Sequence, residues 1–110
     1  MQWAGSFSLV GHAAIDTLRD VYMDRVFVSV CGIDMARGIT VIEPEEALTF
    51  RTMIQQSKQI IVVADSSKIG VVTPSLIGPI SNINVLITDN HASDKAVAPF
   101  LECGIDVRRL

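Results

Sequence analysis

Residues 59–70 read QIIVVADSSKIG, and this stretch decides the fold. Its first part, Ile60 to Val63, is uniformly aliphatic, and each such side chain is worth about 1.5–3 kcal/mol when it is fully buried. A short run that is buried on both faces is typical of a strand in the middle of a parallel sheet. The polar stretch Asp65 to Gly70 therefore comes at the carboxyl end of a central strand, where open α/β sheets bind their ligands.

Helical and strand patterns alternate on both sides of this stretch. In chain order the sequence predicts an amphipathic helix over Leu9–Tyr22 capped by Ser8, a strand over Arg25–Cys31 buried on both faces, and a helix from Glu43 or Pro44 to about Ser57. The strand Ile60–Val63, a strand over Asn84–Thr88, a helix from Ser93 to about Cys103 closed by Gly104, and an edge strand over Ile105–Arg108 follow. Pro99 should kink or shorten the last helix, because a proline inside a helix removes a hydrogen bond.

The connections between these elements decide the topology. Pro74, Gly78 and Pro79 break any long element between the second and third strands, which leaves loops and at most a short helical turn. All the connections are too long for hairpins. We therefore expect an α/β fold with a mostly parallel sheet flanked by helices in three layers.

The composition limits the possible functions. The chain has 110 residues, 49% of them hydrophobic and 19% charged, so it is long enough for a single folded core. Its net charge is −3 and its nine basic residues form no run, which argues against DNA binding by this piece alone. His12 and His91 are interpreted as surface residues.

Neither a cofactor nor a membrane partner is indicated. Cys31 and Cys103 lie far apart without CxxC spacing, so we expect no zinc site or disulfide but two buried thiols in a reducing cytoplasm. The longest apolar run is far below the roughly 20 residues that cross a bilayer, and no signal peptide is evident. A cytoplasmic protein is the expectation.

The first polar segment, Gly32 to Thr40, directly follows the first predicted strand. Gly32 and Gly38 allow backbone conformations that other residues avoid, and they let a ligand approach main-chain N–H groups. Asp34 offers acceptors to sugar hydroxyls, and Thr40 offers a donor to a phosphate oxygen. The alternative is an ordinary turn in which Asp34 bonds to its own backbone.

The second polar segment, Asp65 to Gly70, follows the aliphatic strand. The ammonium of Lys68 suits a phosphate or carboxylate group. Asp65 either holds Lys68 in place or caps the turn. The alternative for Lys68 is a solvated side chain in a polar loop.

Short motifs occur in a fixed order along the chain, namely Gly11, the stretch from Phe27 through Gly32-Ile33-Asp34, Gly38-Ile39-Thr40, Glu46-Ala47 with Met53, Ala64 through Gly70, and Leu86-Ile87-Thr88-Asp89. Together they resemble the sensor domain of DeoR-family transcriptional repressors. The resemblance covers nearly all of the chain from about Ser6 onward.

The resemblance implies a fold related to ribose-phosphate isomerases, glucosamine-phosphate deaminases and CoA transferases. In this family the fold is adapted to sense a phosphorylated sugar or a related small metabolite, without catalysis. The residues that it assigns to effector binding are Gly32, Asp34, Gly38 and Thr40 in a sugar-contacting loop and Lys68 as a charged group at the pocket. Glu46 matches a family acid that is either structural or lines the pocket.

The resemblance also implies parts that this sequence does not contain. Regulators of the family carry an N-terminal winged helix-turn-helix that binds the operator, and an early glycine- and threonine-bearing loop that looks like the main phosphate cradle. We therefore expect residues 1–110 to be the C-terminal portion of a sensor domain, which reaches DNA only through a missing N-terminal domain. Without the first half of the domain, the sheet should expose a strand edge that the missing residues would normally pair. Such an edge should favour a homo-oligomer.

Two positions depart from the family pattern. Arg51 stands where the family commonly has a lysine, which keeps the charge but not the geometry. Cys31 stands where asparagine is common, so one hydrogen-bonding group near the sugar is lost.

Two other classes of function stay open at this point. A sugar-phosphate isomerase or deaminase fragment would need a general base, but no further acid or histidine follows Asp34 in its loop. A pure oligomerisation module would need only apolar surfaces and would be indifferent to Lys68.

Overall fold

The computed structural model describes residues 22–110 of the chain. Its elements are the strands β1 (Met23–Ser29), β2 (Gly32–Asp34), β3 (Gly38–Val41), β4 (Ser57–Val63), β5 (Ser75–Gly78), β6 (Val85–Thr88) and β7 (Asp106–Arg109), the helices α1 (Pro44–Gln55) and α2 (Asp94–Glu102), and the 3₁₀ turns η1 (Ser66–Lys68) and η2 (Ile80–Asn82). The helix predicted over Leu9–Tyr22 lies outside the described residues, apart from Tyr22 just before β1, and it stays a prediction.

A four-stranded parallel sheet in the order β1-β4-β6-β7 forms the centre of the fold. The aliphatic strand β4 lies between β1 and β6, and Ile60, Ile61 and Val62 are buried there. The predicted central position of this run is thereby confirmed. Among the described strands β7 pairs with β6 alone, which agrees with the predicted edge position. The α/β class with helices flanking a parallel sheet is also confirmed, and the arrangement is consistent with three layers.

The first strand differs from its prediction. Burial alternates along β1, because Val26 and Val28 are fully buried whereas Phe27 keeps 39% of its surface exposed. The prediction of a strand buried on both faces is therefore wrong. As an edge strand of the four-stranded sheet, β1 turns one face towards the core, and side chains in a strand alternate between faces.

A second, antiparallel sheet was not predicted. It contains β2, β3 and β5 in that order, and the three residues 35–37 join β2 to β3 as a hairpin. The expectation that no connection is short enough for a hairpin is therefore wrong. The glycines that bound these short strands hid them, because the same residues were interpreted as loop signals.

The two helices follow their sequence signals closely. Pro44 occupies the first turn of α1, and the predicted apolar positions Ala47, Phe50, Met53 and Ile54 are buried. Ser93 caps α2 through its hydroxyl, which accepts a hydrogen bond from the Ala96 N–H over 3.0 Å. Pro99 lies within α2, which nevertheless runs to Glu102 before Gly104 with its φ of +87°.

Within residues 22–110, an apolar core lies between the parallel sheet, the second sheet and the two helices. Its members come from β1, β3, β4 and β5 as well as the helices, including Val28, Ile39, Val62, Ile77 and Phe100. Both cysteines are free, but Cys31 is half-buried and Cys103 exposed, so the prediction of two buried thiols is wrong. No helix among residues 22–110 is long and apolar enough to span a membrane.

Candidate functional site

The carboxyl edge of the parallel sheet brings the two predicted polar segments together. The first segment is the β2–β3 hairpin (Gly32–Val41), and the second is a turn over Asp65–Gly70 that we call the lysine turn. The Gly70 N–H donates to the Ile33 carbonyl oxygen over 2.7 Å, and Ile33 forms a parallel bridge with Ile69. Segments that are far apart in the sequence therefore form one continuous surface.

Asp34 lies at the tip of the hairpin, where it shapes the turn. Its Oδ2 accepts hydrogen bonds from the Ala36 N–H over 3.1 Å and the Arg37 N–H over 2.9 Å. This is the Asx-type turn that was the alternative interpretation. Oδ1 takes part in none of the hydrogen bonds found within residues 22–110, so one carboxylate oxygen remains able to accept a ligand hydroxyl.

The two glycines of the hairpin have a packing role. Gly38 has a φ of +104°, and a Cβ added to it would lie 2.2 Å from the Gly78 carbonyl oxygen of β5. A Cβ added to Gly32 would lie 2.2 Å from the Val71 carbonyl oxygen. Neighbouring backbone thus approaches both glycines in the structure, and the approach of a ligand to them stays a prediction.

Thr40 is fully buried beneath the segment that follows the lysine turn. Its Oγ1 accepts hydrogen bonds from the Thr73 N–H over 3.0 Å and from the Thr73 hydroxyl over 2.7 Å. The neighbouring Cys31 N–H donates to the Thr40 carbonyl oxygen over 2.9 Å. A direct contact between Thr40 and a phosphate stays a prediction, and it requires residues 71–73 to move.

The lysine turn is a capped 3₁₀ helix. Asp65 Oδ1 accepts a hydrogen bond from the Ser67 N–H over 3.0 Å and another from the Ser67 hydroxyl. Of the two roles considered for Asp65, the structure shows the cap. Lys68 is half-buried at the end of η1, and none of the ion pairs between described residues includes its ammonium.

Asp89, which immediately follows β6, is a polar residue of this edge that the sequence analysis did not assign to the site. Its Oδ2 accepts a hydrogen bond from the Ser66 N–H over 2.8 Å, and its Oδ1 accepts one from the His91 N–H over 2.9 Å. The Ser66 bond lowers the pKa of the Asp89 carboxyl below its usual value, because it stabilises the charged form. The only sequence signal was an acid placed directly after a buried strand.

A shallow pocket of about 230 Å³ opens at the same edge. Apolar side chains from the ends of β4 and β6 line most of it, and two carboxylates flank them; the lining residues are Val63, Ala64, Asp65, Ile87, Thr88, Asp89 and Leu110. Thr88 Oγ1 is buried and has no hydrogen-bond partner within residues 22–110. In that part of the chain it is the only buried side-chain nitrogen or oxygen atom without one.

The remaining predicted site residue, Glu46, lies in the first turn of α1 and is half-buried. No hydrogen bond or ion pair within the described part of the chain joins its carboxylate to the hairpin or to the lysine turn. The structure therefore brings Gly32, Asp34 and Lys68 to one edge but does not connect Glu46 to them. Residues 22–110 contain no group of three or more His, Cys, Asp or Glu side chains placed to hold a metal ion.

An open parallel sheet with polar loops at its carboxyl edge is the architecture of a small-molecule-binding domain. The family model described as the DeoR C terminal sensor domain matches residues 4–90. The chain belongs to this family. Because the family is a sensor domain and not a catalytic one, the prediction that the chain is not an enzyme is confirmed.

Named relatives are transcriptional regulators. The HTH-type transcriptional repressor GlcR of Bacillus subtilis (strain 168) is 37% identical over 81 residues, which are 74% of this chain and 31% of that protein. The HTH-type transcriptional regulator GolR of Listeria innocua is 27% identical over 103 residues, 94% of this chain and 41% of GolR. A putative aga operon transcriptional repressor of Escherichia coli O157:H7 is 29% identical over 102 residues, 93% of this chain and 38% of that repressor. The aligned part of the chain thus spans well under half the length of these relatives.

Proposed function

We propose that the chain is the effector-sensing portion of a DeoR-family transcriptional regulator of carbohydrate metabolism, and that its effector is a phosphorylated sugar or a related small metabolite. The observation that carries the proposal is the junction of the lysine turn and the β2–β3 hairpin at the carboxyl edge of the sheet. A cation and a hydroxyl-binding carboxylate are both presented on that surface.

The two half-buried polar residues of this surface have complementary roles in this proposal. The Lys68 ammonium, which has no ion pair within residues 22–110, attracts the anionic group of the effector. Asp34 Oδ1 accepts a hydrogen bond from a sugar hydroxyl, while Oδ2 keeps the hairpin tip in shape. Gly32 and Gly38 permit the close backbone packing on which this surface is built, and Thr40 anchors it from below.

The activity of the whole protein is part of the same proposal. We propose that a winged helix-turn-helix in another part of the protein binds operator DNA in the cytoplasm, and that the effector regulates this binding. The relatives named as repressors support a repressor role. The net charge of −3 supports the assignment of DNA contacts to another domain, since DNA-binding surfaces are basic.

A homo-oligomer is also proposed. In the described sheet, β1 and β7 each have a single neighbouring strand, and an unpaired strand edge is a template for pairing with another chain. Sedimentation velocity over a range of concentrations tests this. Association that increases with concentration is expected, and a clean monomer at high concentration would contradict it.

A thermal-shift screen tests the effector class. Each phosphorylated sugar is compared with its unphosphorylated counterpart on the 110-residue chain. A ligand at 100 times its dissociation constant should stabilise the fold by about 2.7 kcal/mol, and only the phosphorylated member of the pair should do so. Equal shifts with both members, or no shift across the panel, would contradict a phosphorylated sugar as effector.

A further inference from the structure

Asp89 connects the end of β6 to a segment that is distant in the sequence. Its Oδ1 bond to the His91 N–H, 2.9 Å long, is local and orients the carboxylate within its own loop. Its Oδ2 is then placed 2.8 Å from the N–H of Ser66, which lies 23 residues earlier in the chain and two residues before Lys68.

The lysine turn is therefore held at both of its ends. Ser66 at its start donates to Asp89, and Gly70 at its end donates to the Ile33 carbonyl oxygen over 2.7 Å. Between these anchors the Lys68 N–H donates to the Asp65 carbonyl oxygen over 3.0 Å. No residue of η1 is buried, so hydrogen bonds hold this part of the turn, whereas Ile69 directly after it packs partly buried against the core.

We propose that Asp89 is a positioning residue for effector binding, which fixes the lysine turn so that the Lys68 ammonium stays at the edge shared with the β2–β3 hairpin. This inference rests on the proposed function, because that function assigns the anionic group of the effector to Lys68. Asp89 carries the same sign of charge as a phosphate and does not itself bind that group. It acts through Ser66 and the turn.

The expected size of the effect follows from the type of bond. A flexible lysine loses conformational freedom when it binds a ligand, and a turn that is already ordered reduces this cost. A hydrogen bond to a charged acceptor is worth enough to change an equilibrium constant about ten-fold. Loss of the Asp89 carboxylate should therefore weaken effector binding by about that factor.

The experiment compares Asp89→Ala and Asp89→Asn with a matched control. Asp106→Ala removes the same charge from the edge strand β7, where the carboxylate is bonded to the Arg108 side chain. Asp89→Asn keeps one acceptor oxygen, so it should restore part of the binding that Asp89→Ala loses. The probe is the phosphorylated sugar that gives the largest thermal shift with the wild-type chain, and its affinity is measured by calorimetric titration.

A double-mutant cycle separates positioning from a general structural role. Asp89→Ala is combined with Lys68→Met, and each variant is titrated with the same sugar. If Asp89 acts through Lys68, Asp89→Ala should have little further effect once the lysine is gone. An equal loss of affinity in both backgrounds would overturn the inference.

Amide hydrogen exchange supplies a readout that does not depend on any effector. Exchange at Ser66 and Lys68 should accelerate in Asp89→Ala and stay unchanged in Asp106→Ala, while the amides of β4 remain protected and show that the fold is intact. Unchanged exchange at the turn would overturn the inference even if the wild-type chain binds a sugar phosphate. Faster exchange in a chain that binds none would support the anchoring by Asp89 and contradict the proposed effector class instead.

Discussion

Thr73 bonds to the buried hydroxyl of Thr40 twice, through its N–H over 3.0 Å and through its own hydroxyl over 2.7 Å. This pair fixes the segment after the lysine turn against the hairpin, where the Val71 carbonyl faces the bare Cα of Gly32. The buried side of the candidate site thus holds the segment after the lysine turn against the hairpin. Ligand contacts in this conformation are left to groups that keep part of their surface accessible, such as Lys68.

Replacement of Thr73 by valine should destabilise the fold. The change removes one hydrogen bond to Thr40 and leaves a buried hydroxyl with fewer partners, at a cost of about 1–3 kcal/mol. Urea unfolding measures the difference. The double variant Thr40→Val/Thr73→Val also leaves the Thr73 N–H without its acceptor, so it should lose more stability than Thr73→Val but less than the sum of the two single losses. A double variant whose loss is the sum of the two single losses would contradict this pairing.

Gly38→Ala should be more damaging than Gly104→Ala, although both glycines have a positive φ. At Gly104 an added Cβ meets nothing within 4 Å, so only backbone strain of about 1–2 kcal/mol is expected. At Gly38 the Cβ would also lie 2.2 Å from the Gly78 carbonyl oxygen, and the resulting shift adds about 1–3 kcal/mol. Similar losses of unfolding free energy in the two variants would show that the approach of β5 to Gly38 is unimportant.

Thr88→Val should stabilise the chain. The Thr88 hydroxyl is buried and lacks a hydrogen-bond partner within residues 22–110, whereas valine has nearly the same shape and no polar atom to satisfy. The expected gain is about 1 kcal/mol in the free energy of unfolding. Thr49→Val is the control, because that hydroxyl donates to the Glu45 carbonyl oxygen over 3.0 Å and its removal should not stabilise. A loss of stability in Thr88→Val would mean that the hydroxyl is bonded in solution.

The contribution of Asp89 to the free energy of unfolding should decrease at acid pH. Because its pKa is lower in the folded chain than the ordinary value of 3.8, ionised Asp89 favours folding. This contribution is fully present above pH 3.8 and is lost as the pH falls through the lower folded-state pKa. Urea unfolding from neutral pH to below 3.8 should show the advantage of the wild-type chain over Asp89→Asn shrinking in the acid range. A constant advantage would contradict the cause assigned to the pKa shift.

Long, periodic segments allowed most of the fold to be predicted from the sequence. The helical spacing of the apolar residues Ala47, Phe50 and Met53 predicted α1, and these residues are buried in the structure. The aliphatic run Ile60 to Val63 predicted the central strand. The second sheet was missed because its strands are three or four residues long, too short to show a period.

Residues of the candidate site could be predicted only where a local sequence pattern marks their position. Asp34 and Lys68 could be placed because each follows a recognisable strand. Asp89 also follows a strand, but its contact with Ser66 depends on the order of strands in the sheet, which brings β4 beside β6. The burial of Thr40 likewise depends on Thr73, whose position no local pattern indicates.

The proposed sensing role is tested most directly by titrating one phosphorylated sugar into Lys68→Met and Lys58→Met. Both changes remove one positive charge, but Lys58 lies near the amino end of β4, where its ammonium is 4.0 Å from Asp24 and largely exposed. We predict that calorimetry will show saturable binding to the wild-type chain and to Lys58→Met, and at least about ten-fold weaker binding to Lys68→Met. Equal affinity in the two variants would contradict the proposed role of Lys68 in effector binding.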